Sequence, residues 1–193
     1  MRIISGTFRS RILEAPKGDR TRPTSDRARE TLFNILATIA DLEDAAVLDL
    51  FAGSGAFAFE AISRGASSAT CVDSSAEAIA AVKLNASKLG VSPTSFRLDV
   101  YKWLETAAGE YDIIFADPPY DDPKLPEILI KSIFGSRLLM DDSIVIIEHR
   151  TGSKLVIPSD ISVVRDRSAG EAQFTFLQRR GRETENSHLS GDI

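Results

Sequence analysis

Two kinds of hydrophobic pattern alternate along the chain. Short, nearly continuous apolar runs are typical of buried strands, and stretches whose apolar residues recur every three or four positions are typical of amphipathic helices. The predicted strands are residues 46–51, 68–73, 94–98, 111–116 and 143–148. The predicted helices are residues 57–64, the segment between Ser74 and Gly90, and residues 100–107 and 123–134. Buried strands that alternate with helices predict an α/β fold with a parallel sheet covered on both faces.

Several polar residues and glycines predict where the helices begin and end. Ser74 and Glu77 have the spacing of a capping box, and Gly90 is suited to the end of the same helix. Thr24 or Ser25 is predicted to cap an earlier helix. The apolar positions of that helix recur at helical spacing: Ala28, Leu32, Ile35, Leu36 and Ile39.

The two ends of the chain differ from this central pattern. Residues 2–5 and 11–15 are expected to pair as a short hairpin, and residues 161–166 and 172–178 as a closing antiparallel hairpin around Gly170. Beyond these strands the chain is polar and aperiodic, so a disordered tail is expected at residues 181–193. The predicted organisation is a basic N-terminal extension at residues 1–24, an α/β domain at residues 25–180, and the tail.

Acidic residues stand inside or directly after the first three predicted strands. Asp49 is followed by Gly53 and Gly55, which allow a sharp turn and a close approach of the backbone to a ligand. Asp73 comes 20 residues after Gly53, the spacing at which a carboxylate accepts the hydroxyl groups of a ribose. Asp99 can accept a hydrogen bond from an adenine amino group. Together they predict an adenosine-bearing ligand at one edge of the sheet, and the alternative is that they are helix-capping or turn residues.

The fourth strand is followed by the most specific motif of the chain, Asp117-Pro118-Pro119-Tyr120. The prolines restrict the backbone, and the Asp117 carboxylate and Pro118 carbonyl then present two acceptors with no proline N–H beside them. An exocyclic amino group has two N–H donors to match. Tyr120 supplies a flat surface on which a base can stack. The alternative is a purely structural proline-rich turn with a packed tyrosine.

Charge is distributed unevenly over the 193 residues. The net charge is −5, but residues 1–30 alone carry +4 and the rest −9. Such an asymmetry indicates a localised phosphate-binding surface on an otherwise acidic protein. No apolar run is long enough for a membrane span, and the single cysteine, Cys71, is predicted to be a core residue of a cytoplasmic protein.

These motifs resemble the amino-modifying class I S-adenosylmethionine methyltransferases. With Arg2–Gly6 and the segments 21–27 and 29–34, the chain is similar up to about Gln178 to the bacterial 16S rRNA guanine-N2 methyltransferase family. The resemblance implies a Rossmann-like, mainly parallel seven-stranded sheet whose last strand is antiparallel, with a short N-terminal hairpin. It also implies S-adenosyl-L-methionine as cofactor and 16S rRNA, within a small ribosomal subunit, as the partner of a monomeric enzyme.

The candidate residues fall into three sets. The catalytic set is Asp117, Pro118, Pro119 and Tyr120; no metal site is expected. The cofactor-binding set is Asp49, Phe51, Ala52, Gly53, Gly55, Asp73 and Asp99. The RNA-binding set is Arg2, Arg9, Arg11, Arg22 and Arg27. His149 follows the fifth strand, where it lies either at the rim of the site or on the surface.

Other functions share parts of this pattern. Methylation at pyrimidine carbon 5 needs a nucleophilic cysteine, and Cys71 lies inside a strand. A nicotinamide oxidoreductase fits the fold but leaves the motif at Asp117 unexplained. A DNA or RNA adenine-N6 methyltransferase shares the cofactor site, as does a protein glutamine-N5 methyltransferase, although the glutamine enzymes usually have Asn at the position of Asp117. A non-catalytic RNA-binding protein is the alternative outside enzymes.

Overall fold

One mixed sheet forms the centre of the molecule in the computed structural model, which describes residues 1–17, 25–119 and 124–181. Within these residues seven strands pair in the order β3-β2-β1-β4-β5-β7-β6. They are β1 (Ala46–Leu50), β2 (Ser68–Asp73), β3 (Thr94–Arg97), β4 (Tyr111–Ala116), β5 (Leu139–Arg150), β6 (Ile161–Ala169) and β7 (Ala172–Arg179). The first five strands are parallel to one another, and β7 is antiparallel to both β5 and β6. The Rossmann-like sheet predicted from the sequence is confirmed.

Helices cover both faces of the sheet. They are α1 (Asp26–Leu36), α2 (Ala56–Ser63), α3 (Ala76–Leu89), α4 (Val100–Thr106) and α5 (Leu125–Gly135). One face packs against α4 and α5, and the other face packs against α1, α2 and α3. Successive residues of a strand point alternately to these two faces of the sheet, as the two-residue period of a strand requires. None of the described helices has the length and apolar content needed to cross a membrane.

The N-terminal residues 1–14, here called the N-terminal ribbon, fold as the short hairpin expected from the sequence. Arg2 and Ile12 form an antiparallel bridge, and the Ile3 amide donates to the Arg11 carbonyl at 2.9 Å. Ile3 and Leu13 are buried against α2 and α3. The ribbon is therefore packed onto the α/β domain.

Buried polar side chains fix the position of this ribbon. The Glu60 carboxylate, fully buried in α2, accepts hydrogen bonds from the Ile4 amide at 2.7 Å and the Ser5 amide at 3.1 Å. Gly6 has φ +79°, and a Cβ there would overlap the Ser63 carbonyl. The Asn85 side chain of α3 accepts a hydrogen bond from the Glu14 amide and donates to the Glu14 and Ser54 carbonyls. Each of these contacts joins residues that are far apart in sequence.

The structure corrects several predicted boundaries. Ser75, and not Ser74, caps α3, because its hydroxyl accepts from the Ala78 amide. The β5 strand begins at Leu139, four residues before the predicted start, and α1 ends before Ile39. The β3 strand is largely exposed because it lies at the edge of the sheet. The proposed cap Thr24, the predicted start of α5 and most of the predicted tail lie outside the described residues.

Candidate active site

The carboxyl ends of β2, β1, β4 and β5 lie side by side. Register pairs Leu50 of β1 with Val72 of β2 and with Ala116 of β4, and Ala116 in turn with Ile147 of β5. The Asp117 amide also donates to the Leu50 carbonyl at 3.4 Å. The residues that follow these positions therefore meet at one edge of the sheet, as the sequence predicts for Asp73 and Asp117.

The loop from Phe51 to Gly55, here called the glycine loop, leaves β1 in a left-handed conformation. Gly53 has φ +54° and Gly55 has φ +74°, and Phe51 has φ +60°, a backbone conformation that is strained for a bulky residue. No described residue lies within 4 Å of a Cβ built on Gly53. Such strain and openness are typical of a backbone segment that approaches a ligand.

Asp73 holds the glycine loop in place. Its carboxylate accepts from the Gly53 amide at 2.9 Å and from the Ser75 amide at 2.8 Å, with one oxygen used for each. Each carboxylate oxygen has a further lone pair that can accept a ligand hydroxyl. Asp73 therefore combines a structural contact with free acceptor capacity at the site edge.

Asp49 and Asp99 also make local backbone hydrogen bonds. Asp49 is 1% exposed and accepts from the Ala58 amide in α2 at 3.1 Å, so it lies beneath the glycine loop. Asp99 is exposed and caps α4 by accepting from the Lys102 amide at 3.1 Å. The helix-capping alternative considered for these acids is thus present in the structure, and their contact with a cofactor stays a prediction.

Asp117 belongs to a row of acidic groups along the site edge. Burial raises its pKa well above the usual range, and the neighbouring charges of Glu148 and Asp49 raise it further. Burial also raises the pKa of Asp49, opposed by its hydrogen bond from Ala58 and reinforced by Asp73. Three carboxyl groups close to one another disfavour full ionisation and favour the binding of a positively charged ligand.

Glu148, which the sequence interpretation did not include in the site, is 3% exposed at the end of β5. The sequence did contain a signal for Glu148, because it is an acidic residue at the end of an apolar run, as Asp73 is. Of the Asp117 motif, Pro118 is buried and Pro119 is exposed, while Tyr120 lies outside the described residues.

Comparison with known proteins assigns a family. A family model described as conserved hypothetical protein 95 matches residues 1–178. This chain belongs to that family. The putative rRNA methyltransferase YlbH of Bacillus subtilis is 34% identical over 187 residues, which cover 94% of this chain and 100% of the relative. Ribosomal RNA small subunit methyltransferase D of Escherichia coli K12 is 34% identical over 181 residues, covering 93% and 90%.

Solved structures of the family's relatives agree with this assignment. A putative methyltransferase, yhhF, from Escherichia coli superposes with a TM-score of 0.82 at 34% identity, covering 93% of this chain and 97% of the other. The resemblance to small-subunit rRNA methyltransferases inferred from the sequence is confirmed. The family match ends at residue 178, within β7, where the sequence similarity was expected to end.

The exposed arginines that the sequence predicts to bind RNA lie on the N-terminal ribbon and on α1. Arg2, Arg9 and Arg11 are exposed on the N-terminal ribbon, Arg27 is exposed on α1, and Arg22 lies outside the described residues. The ribbon touches the glycine loop, because the Ser54 hydroxyl donates to the Met1 sulfur at 3.4 Å. The end of the ribbon that carries Arg2 thus adjoins the glycine loop. The turn that carries Arg9 lies at the other end of α2, where the Phe8 amide donates to the Ser63 hydroxyl.

Two residues considered in the sequence prove to be part of the core. His149 is 3% exposed, with Nδ1 at 2.8 Å from Ser153 Oγ and Nε2 at 2.8 Å from Thr175 Oγ1. Its burial lowers its pKa, and the expectation of a rim or surface histidine is wrong. Cys71 is fully buried in β2, and burial raises the pKa of its thiol, so the predicted core position is confirmed.

Proposed function

We propose that this protein transfers a methyl group from S-adenosyl-L-methionine to the N2 amino group of a guanine in 16S rRNA of the small ribosomal subunit. The observation that carries the proposal is the position of Asp117 and Pro118 directly after β4, bonded to the end of β1 beside the glycine loop. Relatives of similar length are named as rRNA and small-subunit rRNA methyltransferases. A substrate in the ribosome implies action in the cytoplasm, and we expect a monomeric enzyme.

The described residues fit such a cofactor. Gly53 leaves space for close approach, and Asp73 has acceptor capacity for a ribose. The acidic row of Asp49, Asp117 and Glu148 suits a ligand with positive charge. When bound, S-adenosyl-L-methionine supplies a methyl group made electrophilic by its sulfonium.

The chain's own groups then orient and activate the base. The Asp117 carboxylate accepts one N–H of the amino group and the Pro118 carbonyl accepts the other, which aims the nitrogen lone pair. The lone pair of guanine N2 is delocalised, so precise alignment matters, and well-oriented intramolecular reactions gain about 7–11 kcal/mol. The amine becomes acidic only as the N–C bond forms, and its proton then passes to the Asp117 carboxylate.

Tyr120 and the arginines would serve the RNA. A target base must leave its stack to enter the site, and such base flipping costs about a few kcal/mol. Stacking on Tyr120 would offset part of that cost. The exposed arginines of the N-terminal ribbon would bind phosphates around the target.

The direct test uses labelled S-adenosyl-L-methionine with unmodified small subunits and with free 16S rRNA, followed by mass spectrometry of the nucleosides. N2-methylguanosine is the expected product. N6-methyladenosine would favour the adenine alternative, and the absence of transfer to either substrate would contradict the proposal. Comparison of the two substrates also identifies whether an assembled subunit is required.

Replacing Asp73 with alanine is expected to weaken S-adenosyl-L-methionine binding by about 1–3 kcal/mol, since the ribose hydroxyls lose a charged acceptor. The substitution also releases the Gly53 amide, so Asp73→Asn, which keeps one acceptor oxygen, should lose less. Calorimetry measures both affinities, with Asp41→Ala in the exposed loop between α1 and β1 as control. An unchanged affinity in Asp73→Ala would remove this residue from the cofactor site.

Replacing Glu148 with glutamine is expected to shift the pH dependence of methylation. The raised pKa of Asp117 leaves its carboxyl protonated at acidic pH, so activity should rise as pH rises through that pKa. Glu148→Gln removes a negative charge that raises this pKa, and the acid limb of kcat/KM should therefore move to lower pH. Profiles measured at saturating cofactor check the shift. A limb that stays in place or moves upward would show that Glu148 does not control Asp117.

A further inference from the structure

Arg29 has unused hydrogen-bond donors in the interior of the protein. This residue lies in the second turn of α1 and is only 3% exposed. Its Nη2 donates to the Arg2 carbonyl at 2.6 Å and to Asp26 Oδ1 at 2.9 Å. Its Nε and Nη1 are buried and have no hydrogen-bond partner among the described residues. Buried charged donors are nearly always paired in native proteins, so two open donors point to a missing acceptor.

The surroundings of Arg29 lie at the site edge of the sheet. The end of α1 at Leu36 is separated from the start of β1 by only nine residues, and α1 and β1 have similar lengths, so α1 begins near the carboxyl edge. The ribbon gives an independent link, since Arg2 accepts from Arg29 and its neighbour Met1 contacts Ser54 of the glycine loop. Glu148, paired with Phe174, lies on the same face of the sheet as α1.

The local charge balance favours an anion. Asp26 is shared, because it accepts from Arg2 Nε at 3.2 Å as well as from Arg29. Two guanidinium groups therefore meet one carboxylate, and a net positive charge remains. Asp26 bonds only Nη2, which leaves the other two donor atoms of Arg29 available.

We propose that Nε and Nη1 of Arg29 bind an oxyanion of a ligand in the active site. The proposal rests on the proposed function, which supplies two ligands with this chemistry: the carboxylate of the cofactor's methionine part and a phosphate of the RNA beside the target base. Arg29 is then a binding residue that fixes one end of a ligand while Asp117 binds the reacting amino group. The pairing with Asp26 and Arg2 orients the guanidinium for this role.

The test measures binding, which does not depend on the nucleotide that is methylated. Wild type, Arg29→Met and Arg29→Lys are titrated with S-adenosylhomocysteine, with 5′-methylthioadenosine, which has no carboxylate, and with unmodified 16S rRNA. Lys131→Met, which removes an exposed charge from α5, is the matched control. Thermal unfolding checks that each variant is folded, and Arg29→Lys retains the charge should Arg29→Met fail to fold.

If the ligand group is the cofactor carboxylate, Arg29→Met should weaken S-adenosylhomocysteine binding by about tenfold or more and leave 5′-methylthioadenosine binding unchanged. If it is an RNA phosphate, both small ligands should bind normally and the Kd for RNA should rise with a smaller salt dependence. Folded Arg29 variants that bind all three ligands like wild type would overturn the proposal. A wild-type protein that binds no S-adenosylhomocysteine would instead contradict the proposed function.

Asp26→Asn separates ligand binding from a structural role. If Arg29 serves only to tie α1 to the ribbon, removing the Asp26 charge should weaken ligand binding as Arg29→Met does. If Arg29 binds an oxyanion, Asp26→Asn keeps an acceptor oxygen for Nη2 and leaves the two open donors in place. It also removes a competing charge, so affinity should stay equal or increase. Weakening by both substitutions to the same extent for all three ligands would overturn the proposal.

Discussion

Replacing Arg9, Arg11 and Arg22 together with glutamate is expected to abolish methylation of small subunits while S-adenosyl-L-methionine affinity stays nearly unchanged. Arg9 and Arg11 are exposed on the N-terminal ribbon, whose position depends instead on its backbone contacts with Glu60 and Ser63. The substitution should therefore leave the fold intact and change the local charge by six units. Phosphates would then meet repulsion where the wild type offers attraction. Calorimetry and labelled-methyl transfer measure the two effects separately.

A matched control distinguishes local from general charge effects. Lys83, Lys131 and Lys154 are exposed outside the ribbon, and their joint replacement with glutamate changes the net charge by the same amount. This control should lose only part of the RNA affinity. The salt dependence adds a second measure, because each phosphate contact contributes about 0.7–0.9 to the log–log slope of binding. Normal methylation by the ribbon variant would mean that the basic N-terminus does not bind the substrate.

The strands could be predicted because burial on both faces leaves a direct trace in sequence. For β2 and β4 the predicted bounds agree with the structure to the residue. Both are short apolar runs between polar segments, and a strand in the middle of a parallel sheet has few positions for polar residues. The edge strand β3 is mostly exposed, and Asp141 and Asp142 interrupt the apolar run near the start of β5, so their hydrophobic pattern was weaker or incomplete.

Contacts over long sequence distances could not be predicted in this way. Glu60 is a charged residue within an otherwise apolar helix, and its partners Ile4 and Ser5 lie more than 50 residues away. Similarly, Asn85 bonds Glu14 across 71 residues. The cap of α3 illustrates a local limit, since Ser74 and Ser75 are chemically equivalent and only the backbone geometry selects Ser75.

The candidate site residues could be predicted from a rule about sheet topology. The residues that this prediction missed were missed for a physical reason. Ligands bind at the carboxyl ends of parallel strands, so acids after strands were informative. Applied to every strand, the same rule also identifies Glu148. Arg29 could not be identified, because an arginine in the first turns of a helix is ordinarily exposed, and only the structure reveals its burial and its open donors.

The ionised acidic row is expected to lower the stability of the folded protein while it serves ligand binding. Asp117 has a raised pKa in the folded protein, so the folded state holds this proton more tightly than the unfolded chain. Stability from this group is fully present below the unfolded pKa and is lost as pH rises through the folded pKa. Above its folded pKa the ionised Asp117 carboxylate therefore destabilises the fold, while its charge is what an amino group and a cationic cofactor require.

Replacing Asp117 should accordingly lower activity and raise stability. Asp117→Ala is expected to lose most of kcat/KM, because the amino group loses its charged acceptor and its orientation together. Asp117→Asn should retain more activity, since its amide oxygen still accepts but does not offset developing positive charge. At a pH above the folded pKa of Asp117, Asp117→Asn should also unfold at a higher temperature than wild type, and this difference should vanish at acidic pH, where Asp117 is protonated. Single-turnover rates on unmodified subunits and thermal unfolding at both pH values provide the data.

Tyr120 supplies the matched comparison within the same motif. If its ring stacks on the target base, Tyr120→Phe should stay largely active, and Tyr120→Ala should lose about 1–3 kcal/mol of stacking as a fall in kcat/KM. Neither change should alter the pH dependence of stability, because neither adds or removes a carboxyl group. Cofactor affinity should be nearly the same in both Tyr120 variants, since the ring would face the base. Tyr120→Phe as inactive as Asp117→Ala would make the phenol a proton donor or acceptor and contradict the stacking role. An Asp117→Asn protein that is less stable than wild type at every pH would contradict the raised pKa of Asp117.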